Sequence, residues 1–571
     1  MAQVTITNKK THNEFGHMTY EKQPFSRLDM VFARFLSERS LLDSSQKQDF
    51  ENLMMSLSFE QGQGHSCIQI NKEEQILILA SGLALTNTNN HNATPALPLV
   101  IEQDRLYLHR YWHYESRLAL QLSKMTQKKV SNELKTPTDL STLFDRYFGT
   151  SDTIDWQRAA AIMAVNQAFC MITGGPGTGK TTTVVKILAL LQELSDQPLL
   201  IALAAPTGKA AMRLQESIGF NKAALPCIAA IKSAIPESVT TLHRLLGAKP
   251  PSPYFRHNAK HPLVYDLVVV DEASMVDLAL MSKLIDALKP GARLILLGDK
   301  DQLASVESGA VLADLIMALP QQTLELQKSH RFDENIKNLA FAINNQQDNE
   351  AWQLLEAGNK NIALLETDLI DYITKQQITY LQLITTGAEF GDIYKAFNRF
   401  QALCATRLGK NGVSDITLAV EKSLSEIKLI HLSGAWYSGR PIMITENNAA
   451  LQLYNGDIGI CLRDKEQEDQ LRVFFQRADG SIRKYLPARI PHCETVFVMT
   501  IHKSQGSEFE EVLIILPENS NPILTKELLY TAITRAKKTI KLVANKSVFS
   551  STVRQRVQRV TGLVDKFTTT H

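Results

Sequence analysis

Residues 174–181 read Gly-Gly-Pro-Gly-Thr-Gly-Lys-Thr, and this stretch decides the fold. An apolar run, residues 169–173, comes directly before it, and residues 180–194 follow with apolar side chains at helical spacing. In such a strand–loop–helix turn, glycines let backbone N–H groups turn inward around a phosphate, and the helix N-terminus adds partial positive charge. The sequence therefore predicts a phosphate-binding loop in which Lys180 reaches the β- and γ-phosphates of a nucleotide and Thr181 offers its hydroxyl to Mg²⁺.

Continuous apolar runs alternate with helical patterns over most of the remaining chain. Because strands buried on both faces carry continuous apolar residues, this alternation predicts parallel sheets covered by helices. The runs fall into two groups: residues 169–173, 199–205, 267–270 and 294–297, and then residues 402–406, 496–500, 512–516 and 540–543. We therefore expect an α/β protein with two α/β units in series.

Polar side chains follow two of the apolar runs in the first unit. Asp271 and Glu272 come directly after residues 267–270, and Gln302 lies shortly after residues 294–297. Asp271 suits the Mg²⁺ shell, Glu272 suits the base that orients an attacking water, and the neutral Gln302 amide can contact a γ-phosphate. ATP and Mg²⁺ are the cofactors that this set predicts.

Phosphoryl transfer also needs cations against the charge that spreads over the γ-phosphate oxygens. Two arginines are candidates, Arg331 in Ser-His-Arg-Phe (329–332) and Arg535 in Tyr-Thr-Ala-Ile-Thr-Arg (530–535). Most arginines lie on protein surfaces, so the case for these two depends on their positions along the chain. Arg331 lies between the two α/β units and Arg535 lies in the second.

Residues 434–491 have a different sequence pattern from the α/β units. The dipeptides Asn455-Gly456 and Asp479-Gly480 supply the positive φ angles of type I′ hairpin turns. They are predicted to join residues 451–454 to 458–462 and residues 472–477 to 482–485. We expect a small antiparallel β module inserted in the second α/β unit.

Composition excludes several classes of protein. The chain has 571 residues, of which 44% are hydrophobic and 21% charged, as in ordinary folded domains. Its apolar runs fall short of the roughly 18 residues that read as a membrane span, and its six scattered cysteines fit a reducing cytoplasm. The net charge is +2, but residues 530–571 hold nine Lys or Arg against one acid, either a solvated helix face or a phosphate-facing surface.

Residues 1–140 carry no motif that resembles a catalytic site. Up to Gly149 the chain holds 16 basic and 16 acidic residues, and apolar residues at helical spacing, from Leu28 to Leu36, predict an amphipathic helix. A DNA-gripping surface needs an excess of positive charge to release counterions. We therefore expect this block to dock onto partner chains, or simply to shield the first sheet.

Eight motifs follow one another in order: GGPGTGKT (174–181), APTGKAAMRL (205–214), TLHRLLG (241–247), VVVDEASM (268–275), LGDKDQLASVESG (297–309), SHRF (329–332), TIHKSQGSEF (500–509) and YTAITRAKK (530–538). Together they resemble superfamily-one DNA helicases, and more closely the RecD family, the alpha subunits of exodeoxyribonuclease V. The resemblance covers about residues 150–560. It implies two RecA-like P-loop domains with an inserted small SH3-like β module and a mainly helical N-terminal domain.

The domain boundaries that follow from this resemblance divide the chain into five segments. They are an N-terminal partner-docking domain (1–140), the first RecA-like domain with the P-loop and the Asp-Glu pair (141–325), the first part of the second RecA-like domain (326–433), the inserted β-barrel module (434–491) and the second part of the second RecA-like domain (492–571).

The resemblance also implies roles for the residues that match its motifs. Arg331 and Arg535 would be arginine fingers, Gln157 would contact the adenine edge, and Glu508 would approach the nucleotide from the second domain. The residues expected around the phosphates are Gly174, Gly175, Pro176, Gly177, Thr178, Gly179, Lys180, Thr181 and Thr182. Those expected along the single-stranded DNA track are Pro206, Thr207, Lys209, Thr241, His243, Thr500, His502 and Lys503. Short polar side chains against a phosphate backbone give a grip that does not depend on base sequence.

The activity implied by the resemblance is ATP-dependent 5′→3′ movement on single-stranded DNA. The chain would work in the cytoplasm in a heterotrimer with RecB-like and RecC-like subunits that processes double-stranded DNA ends for recombinational repair, with nuclease activity in a partner.

Four alternatives remain open at this stage. A freestanding RecD-like helicase would carry a longer N-terminal extension with helix-hairpin-helix repeats, and a relaxase-linked helicase would carry a three-histidine metal cluster. A nuclease would need a further carboxylate-rich site. The complete set of Lys180, Asp271, Glu272, Gln302 and Arg535 argues against a scaffold with a degenerate ATPase.

Overall fold

The structure is a computed structural model of the chain. It describes residues 25–86, 97–127, 137–150, 154–305, 307–327, 333–448, 450–477, 480–490 and 492–568. Arg331 lies outside the described residues, so its predicted role stays a prediction. Among the helices described, none is both long and apolar enough to cross a lipid bilayer.

The described residues of the N-terminal block form five helices and a four-stranded sheet. In chain order its elements are α1 (Arg27–Ser37), α2 (Ser44–Gly62), β1 (Cys67–Gln69), α3 (Lys72–Ala80), β2 (Ala84–Thr86), β3 (Leu99–Glu102), β4 (Arg105–Leu108), α4 (His109–Gln127) and α5 (Pro137–Phe148). Helix α1 begins with a reciprocal capping box between Ser26 and Asp29. The strands lie in the order β1-β4-β3-β2, with only β2 and β3 parallel. The expected helical character holds, but the small sheet was not foreseen.

The first RecA-like domain is built on a six-stranded sheet. Its elements are α6 (Trp156–Asn166), β5 (Phe169–Thr173), α7 (Lys180–Leu194), β6 (Ile201–Ala205), α8 (Gly208–Ala223), α9 (Ala229–Ala234), β7 (Val239–Thr241), α10 (Leu242–Leu246), β8 (Leu267–Val270), α11 (Leu278–Ala287), β9 (Arg293–Gly298), α12 (Val311–Ala318) and β10 (Thr323–Glu325). The strand order is β10-β5-β9-β8-β6-β7, and every neighbouring pair is parallel. All carboxyl ends therefore meet at one edge.

The second RecA-like domain begins with helices and two strands. They are α13 (Glu334–Asn344), α14 (Asp348–Ala357), β11 (Ile362–Leu364), α15 (Leu369–Thr385), α16 (Phe390–Phe397), β12 (Phe400–Cys404) and α17 (Val413–Glu426). The β module then interrupts the domain.

The inserted module is a five-stranded antiparallel sheet. Its strands are β13 (Pro441–Ile444), β14 (Ile458–Asp464), β15 (Gln470–Gln476), β16 (Ile482–Tyr485) and β17 (Cys493–Thr495), in the order β16-β15-β14-β13-β17. The β15–β16 hairpin is confirmed. The prediction of a strand at residues 451–454 that pairs with β14 is wrong. Strand β14 pairs with β13 instead, and Leu453 forms only an isolated β-bridge with Asn448. Both faces of the sheet are buried. On one face Phe475 lies in the hydrophobic core of the module itself, and on the other Phe474 packs on Phe390 of the second domain.

The second domain resumes after the module with two strands, β18 (Val498–Thr500) and β19 (Phe509–Ile515), then α18 (Lys526–Ile533), β20 (Ala536–Val543), α19 (Lys546–Arg554) and α20 (Leu563–Thr568). Its sheet has the order β11-β20-β19-β12-β18, again parallel throughout. The two groups of apolar runs thus form two separate parallel sheets, as expected.

The C-terminal segment 555–568 runs back to the N-terminal block. Val560 N–H donates to His65 Nδ1 (3.0 Å), and Ser66 N–H donates to the Val560 carbonyl (3.1 Å). The buried Glu115 carboxylate of α4 accepts from Ser66 Oγ at 2.6 Å and from Gly562 N–H at 3.3 Å. Burial raises the pKa of Glu115 to about 7. The segment therefore fastens the N-terminal block to the rest of the chain.

Helix α4 belongs to the core of the first RecA-like domain as well as to the N-terminal block. Its Leu118 and Leu122 share a buried cluster with Met281 and Leu284 of α11 and with Phe567 of α20. Deleting residues 1–140 would expose this apolar surface to water. The role of the N-terminal block is therefore better tested by surface substitutions than by truncation.

Candidate nucleotide site and nucleic-acid track

The phosphate loop joins β5 to α7 at the carboxyl edge of the first sheet. Gly174, Gly177 and Gly179 all have φ in the left-handed region that favours glycine (149°, 79° and 83°). The Lys180 ammonium donates to the carbonyls of Gly174 (2.5 Å) and Gly175 (3.1 Å). Its charge therefore lies inside the loop, within reach of a phosphate bound there.

Residues around the loop are held by neighbouring elements. The Thr178 hydroxyl donates to the Gly175 carbonyl at 2.9 Å, and the Gln157 amide lies so close to Gly179 that a Cβ there would meet it at 2.6 Å. Thr182, by contrast, donates its hydroxyl to Asn221 of α8 at 2.9 Å. Gln157 thus lies beside the loop, whereas the Thr182 hydroxyl is hydrogen-bonded to α8.

Two carboxylates stand at the end of β8, next to the loop. Glu272 N–H donates to Asp271 Oδ1 at 2.9 Å, and Glu272 has a left-handed backbone (φ 51°), a costly conformation for a non-glycine residue. Burial and the nearby Glu272 charge raise the pKa of Asp271, whereas the Lys180 ammonium opposes the rise. Two half-buried carboxylates side by side, close to Lys180, are an environment that favours a bound cation.

The strand end of β9 contributes a third carboxylate, and this one is buried. Asp299 is 2% exposed, and its Oδ2 accepts from Gln302 Nε2 (3.0 Å) and from the Tyr530 hydroxyl of α18 (3.1 Å). Burial raises the pKa of Asp299 to about 6. The predicted sensor Gln302 is therefore held by a neighbour that itself contacts the second domain.

Arg535 reaches the same region from the second domain. It is 2% exposed, and its guanidinium donates to the carbonyls of Thr531 (3.1 Å) and Ser507 (3.3 Å). Burial lowers its pKa, while the charges of Glu272 and Asp299 oppose the decrease. The structure thus brings this predicted arginine finger close to Glu272 and Asp299 of the first domain.

Glu508 lies at the interface of the two domains. Its carboxylate pairs with Arg213 of α8 in the first domain and with Lys537 of β20 at 3.5 Å. The side chain therefore bridges two cations.

The predicted DNA-track residues of the first domain lie at the ends of β6 and β7, which pair in parallel. Thr207 caps α8 by accepting from Ala210 N–H, and Thr241 caps α10 by accepting from Arg244 N–H. Pro206 precedes the first cap, and His243 is exposed with its ring 5.7 Å from that of Phe255.

Lys209 stands apart from the other track residues. Burial lowers its pKa to about 8, opposed by the Asp457 carboxylate of the β module. The aromatic side chain of Tyr454 covers the adjacent Gly208, where a Cβ would meet it at 3.1 Å. The module therefore packs directly on the start of α8.

The track residues of the second domain follow β18. Thr500 accepts from Lys503 N–H at 3.4 Å, and the Lys503 ammonium pairs with Glu494 of β17. His502 is half-buried, and burial lowers its pKa. The loop after these residues lies against the first domain, since a Cβ at Gly506 would stand 3.8 Å from Ala210 N of α8.

Comparison with known proteins gives the same assignment. An AAA domain family matches residues 157–308, and the UvrD-like helicase C-terminal domain family matches residues 495–543. The RecBCD enzyme subunit RecD of Mycolicibacterium smegmatis is 40% identical over 81% of this chain and 82% of its own length. That of Haemophilus influenzae is 36% identical over 82% of this chain and 80% of its own. The chain belongs to the RecD family. The ATP-dependent DNA helicase activity expected from the motifs is thereby confirmed, and so is the use of ATP.

A second RecD-type relative matches less of its length. The ATP-dependent RecD2 DNA helicase of Deinococcus radiodurans is 32% identical over 69% of this chain, but the match covers 50% of that protein. This chain therefore spans most of the subunit-type relatives and half of the RecD2 relative.

Sequence reasoning missed three residues of this site. Asp299, Tyr530 and Arg213 lie within quoted motifs, but the motifs gave them no role. Each is a polar residue in a motif, which could have marked it as a candidate. Their roles depend on contacts between distant residues, however: Tyr530 and Asp299 are 231 positions apart, and Arg213 and Glu508 are 295 positions apart.

Proposed function

We propose that this chain is the 5′→3′ motor subunit of a RecBCD-type complex that unwinds DNA from double-stranded ends for recombinational repair. The observation that carries the proposal is the meeting of two domains at one nucleotide site: Lys180, Asp271 and Glu272 stand on the first, and Arg535 stands on the second. A bound γ-phosphate would attract groups on both sides and close the cleft. Hydrolysis would remove that attraction and let the cleft open. If each domain grips DNA in turn, this cycle becomes directed stepping.

The individual roles follow from the positions of the side chains. Lys180 would bind the β- and γ-phosphates, Glu272 would orient the attacking water, and Arg535 would stabilise transition-state charge. Gln302 would sense the γ-phosphate, and Gln157 would contact the adenine. The Asp271 carboxylate and the Thr181 hydroxyl are oxygen donors that suit Mg²⁺, which would neutralise charge on the phosphates.

Glu508 and Arg331 complete the nucleotide-site proposal. Glu508 would approach the nucleotide once its pair with Arg213 opens, and Arg331 would act as the second arginine finger. DNA would lie across the ends of β6, β7 and β18, where Thr207, Thr241 and Thr500 offer short polar groups. The DNA substrate and the free thiols of the described cysteines fit work in the cytoplasm.

The polarity and substrate are tested with tailed duplexes. The full chain, alone and with its partner subunits, should hydrolyse ATP at least about tenfold faster with single-stranded DNA. It should unwind a duplex with a 5′ tail and leave a 3′-tailed duplex intact, because a 5′→3′ motor loads on the 5′ tail. A strand-displacement assay on the two duplexes measures this, and preference for the 3′ tail would contradict the proposed polarity.

Docking onto partner subunits is proposed for an exposed apolar patch on the N-terminal block. The patch consists of Leu28, Val31 and Phe35 of α1 and the nearby Leu41, which are 73%, 58%, 50% and 83% exposed. Exposed apolar side chains at helical spacing, as Leu28, Val31 and Phe35 are on α1, are typical of protein contact sites. The neutral charge of the block argues against DNA as the occupant. The relatives are named as subunits of RecBCD, so we assign this patch to a RecB-like or RecC-like subunit.

Replacing Val31 and Phe35 by aspartate should abolish co-purification with the partner subunits, because it places charges on the apolar patch. The DNA-stimulated ATPase of the isolated chain should stay within about twofold of wild type, since exposed substitutions usually change stability little. Leu418→Asp on α17, at a side chain 66% exposed, is the matched control and should assemble normally. Normal assembly of the Val31/Phe35 variant would reject the docking patch and favour a merely shielding block.

A further inference from the structure

A hydrogen-bonded chain links the γ-phosphate sensor of the first domain to helix α18 of the second. Gln302 Nε2 and the Tyr530 hydroxyl donate to the same oxygen, Asp299 Oδ2, at 3.0 and 3.1 Å. All three side chains are buried, with 7%, 6% and 2% exposure for Gln302, Tyr530 and Asp299. The same hydroxyl also lies against the phosphate loop, where a Cβ at Gly175 would meet it at 3.0 Å. The Tyr530 hydroxyl therefore contacts both the phosphate loop and Asp299, the residue that accepts from the Gln302 amide.

The hydrogen bond from Tyr530 to Asp299 is expected to be strong. A hydrogen bond to a buried carboxylate is charge-assisted and about twice as strong as one between neutral groups. Burial and the charge of Asp299 raise the pKa of Tyr530 well above its usual value, so the phenol remains a donor at physiological pH. If the second domain moves away, Asp299 loses one of its two side-chain donors, and the position of the Gln302 amide is no longer fixed by a shared acceptor.

Other bonds also cross the domain boundary here, but they end on the backbone. Thr531 Oγ1 accepts from Leu303 N–H at 2.9 Å, and Gln505 Nε2 donates to the Leu303 carbonyl at 3.2 Å. These contacts hold the loop after Gln302 without touching the sensor side chain or its carboxylate. The Tyr530 hydroxyl is thus placed to affect the sensor amide through one intervening group.

We propose that Tyr530 is a positioning residue that holds Gln302 through Asp299 and thereby makes ATP hydrolysis depend on closure of the second domain onto the first. The proposal rests on the assignment of Gln302 as the γ-phosphate sensor. Tyr530 reports closure because its helix belongs to the second domain, and the sensor amide is oriented only when the phenol is in place. Hydrolysis before closure is suppressed, which ties each ATP to a domain movement.

Tyr530→Phe tests this inference, because it removes the hydroxyl and leaves the ring in its buried site. In the full chain we expect the kcat of DNA-stimulated ATP hydrolysis to fall about 10- to 100-fold, the range for losing one hydrogen bond to a charged group. The KM for ATP should change less than about threefold. Tyr380→Phe is the matched control, since Tyr380 is equally buried in the same domain and its hydroxyl donates to the Gly439 carbonyl at 2.8 Å. It should keep wild-type kcat.

A double-mutant cycle separates positioning from a general structural effect. If Tyr530 acts through Asp299, the Tyr530→Phe/Asp299→Asn double variant should have the same kcat as Asp299→Asn alone. Fully additive losses, or equal losses in Tyr530→Phe and Tyr380→Phe, would overturn the proposal. A wild-type chain without DNA-stimulated ATPase would instead refute the motor function itself, so the two failures are distinguishable.

Discussion

Lys180→Gln should abolish DNA-stimulated ATP hydrolysis, with kcat reduced by more than about 100-fold, as expected when a transition-state cation is lost. The Lys180 ammonium lies inside the phosphate loop, bonded to the carbonyls of Gly174 and Gly175. Its charge also lowers the pKa of Asp299 and, together with Arg213, that of Asp271, and so opposes the rise caused by burial. The variant therefore loses a phosphate ligand and leaves the carboxylates of Asp271 and Asp299 with less positive charge nearby. Steady-state ATPase at saturating single-stranded DNA measures the effect.

Lys186→Gln is the matched control for this variant. Lys186 lies six residues further along the same helix, α7, with its ammonium 4.9 Å from the centre of the Phe148 ring. The charge change is identical, but the phosphate loop is untouched, so kcat should remain within about threefold of wild type, as for a surface substitution. Near-normal turnover of Lys180→Gln would show that the nucleotide site has been misplaced.

Much of the two RecA-like domains follows from local sequence. Parallel strands buried on both faces leave continuous apolar runs, so Phe169–Thr173 and Leu267–Val270 have the bounds expected of them. Because parallel strands share one carboxyl edge, residues as distant as Lys180 and Asp271 could be assigned to one site. The phosphate loop was also predictable from its glycines, because Gly177 and Gly179 adopt the positive φ angles that favour glycine.

The remaining features depend on contacts that no local pattern records. Strands β1 to β4 have three or four residues each, too few to show a period, so the N-terminal sheet was not expected. Residues 451–454 look like a hairpin arm, but β14 finds β13 as its partner instead. The Tyr530–Asp299 bond and the pair between Arg213 and Glu508 join the two domains, and only tertiary packing brings such groups together.

Glu272→Gln should bind ATP and single-stranded DNA normally but hydrolyse ATP at least about 100-fold more slowly, because it removes the base and keeps the shape of the side chain. Bound ATP would then persist and hold the two domains closed. Rapid-quench single-turnover assays give the rate of chemistry, and fluorescence anisotropy with labelled single-stranded DNA gives the affinity with and without ATP. We expect the ATP-bound variant to release DNA more slowly than wild type.

The comparison between Glu272→Gln and Lys180→Gln is the decisive part of this experiment. Lys180→Gln should lose ATP affinity as well as turnover, whereas Glu272→Gln should lose turnover alone, since Glu272 contacts water rather than phosphate in the proposed mechanism. Glu325→Gln is the control: Glu325 ends β10 on the same sheet edge, but it pairs with Lys300 at 2.7 Å and should be dispensable for chemistry. Arg535→Ala is a less specific probe, because it also removes the bonds to the Thr531 and Ser507 carbonyls within the second domain. If Glu272→Gln lost ATP affinity as severely as Lys180→Gln, the base and the phosphate ligand would have been assigned to the wrong residues.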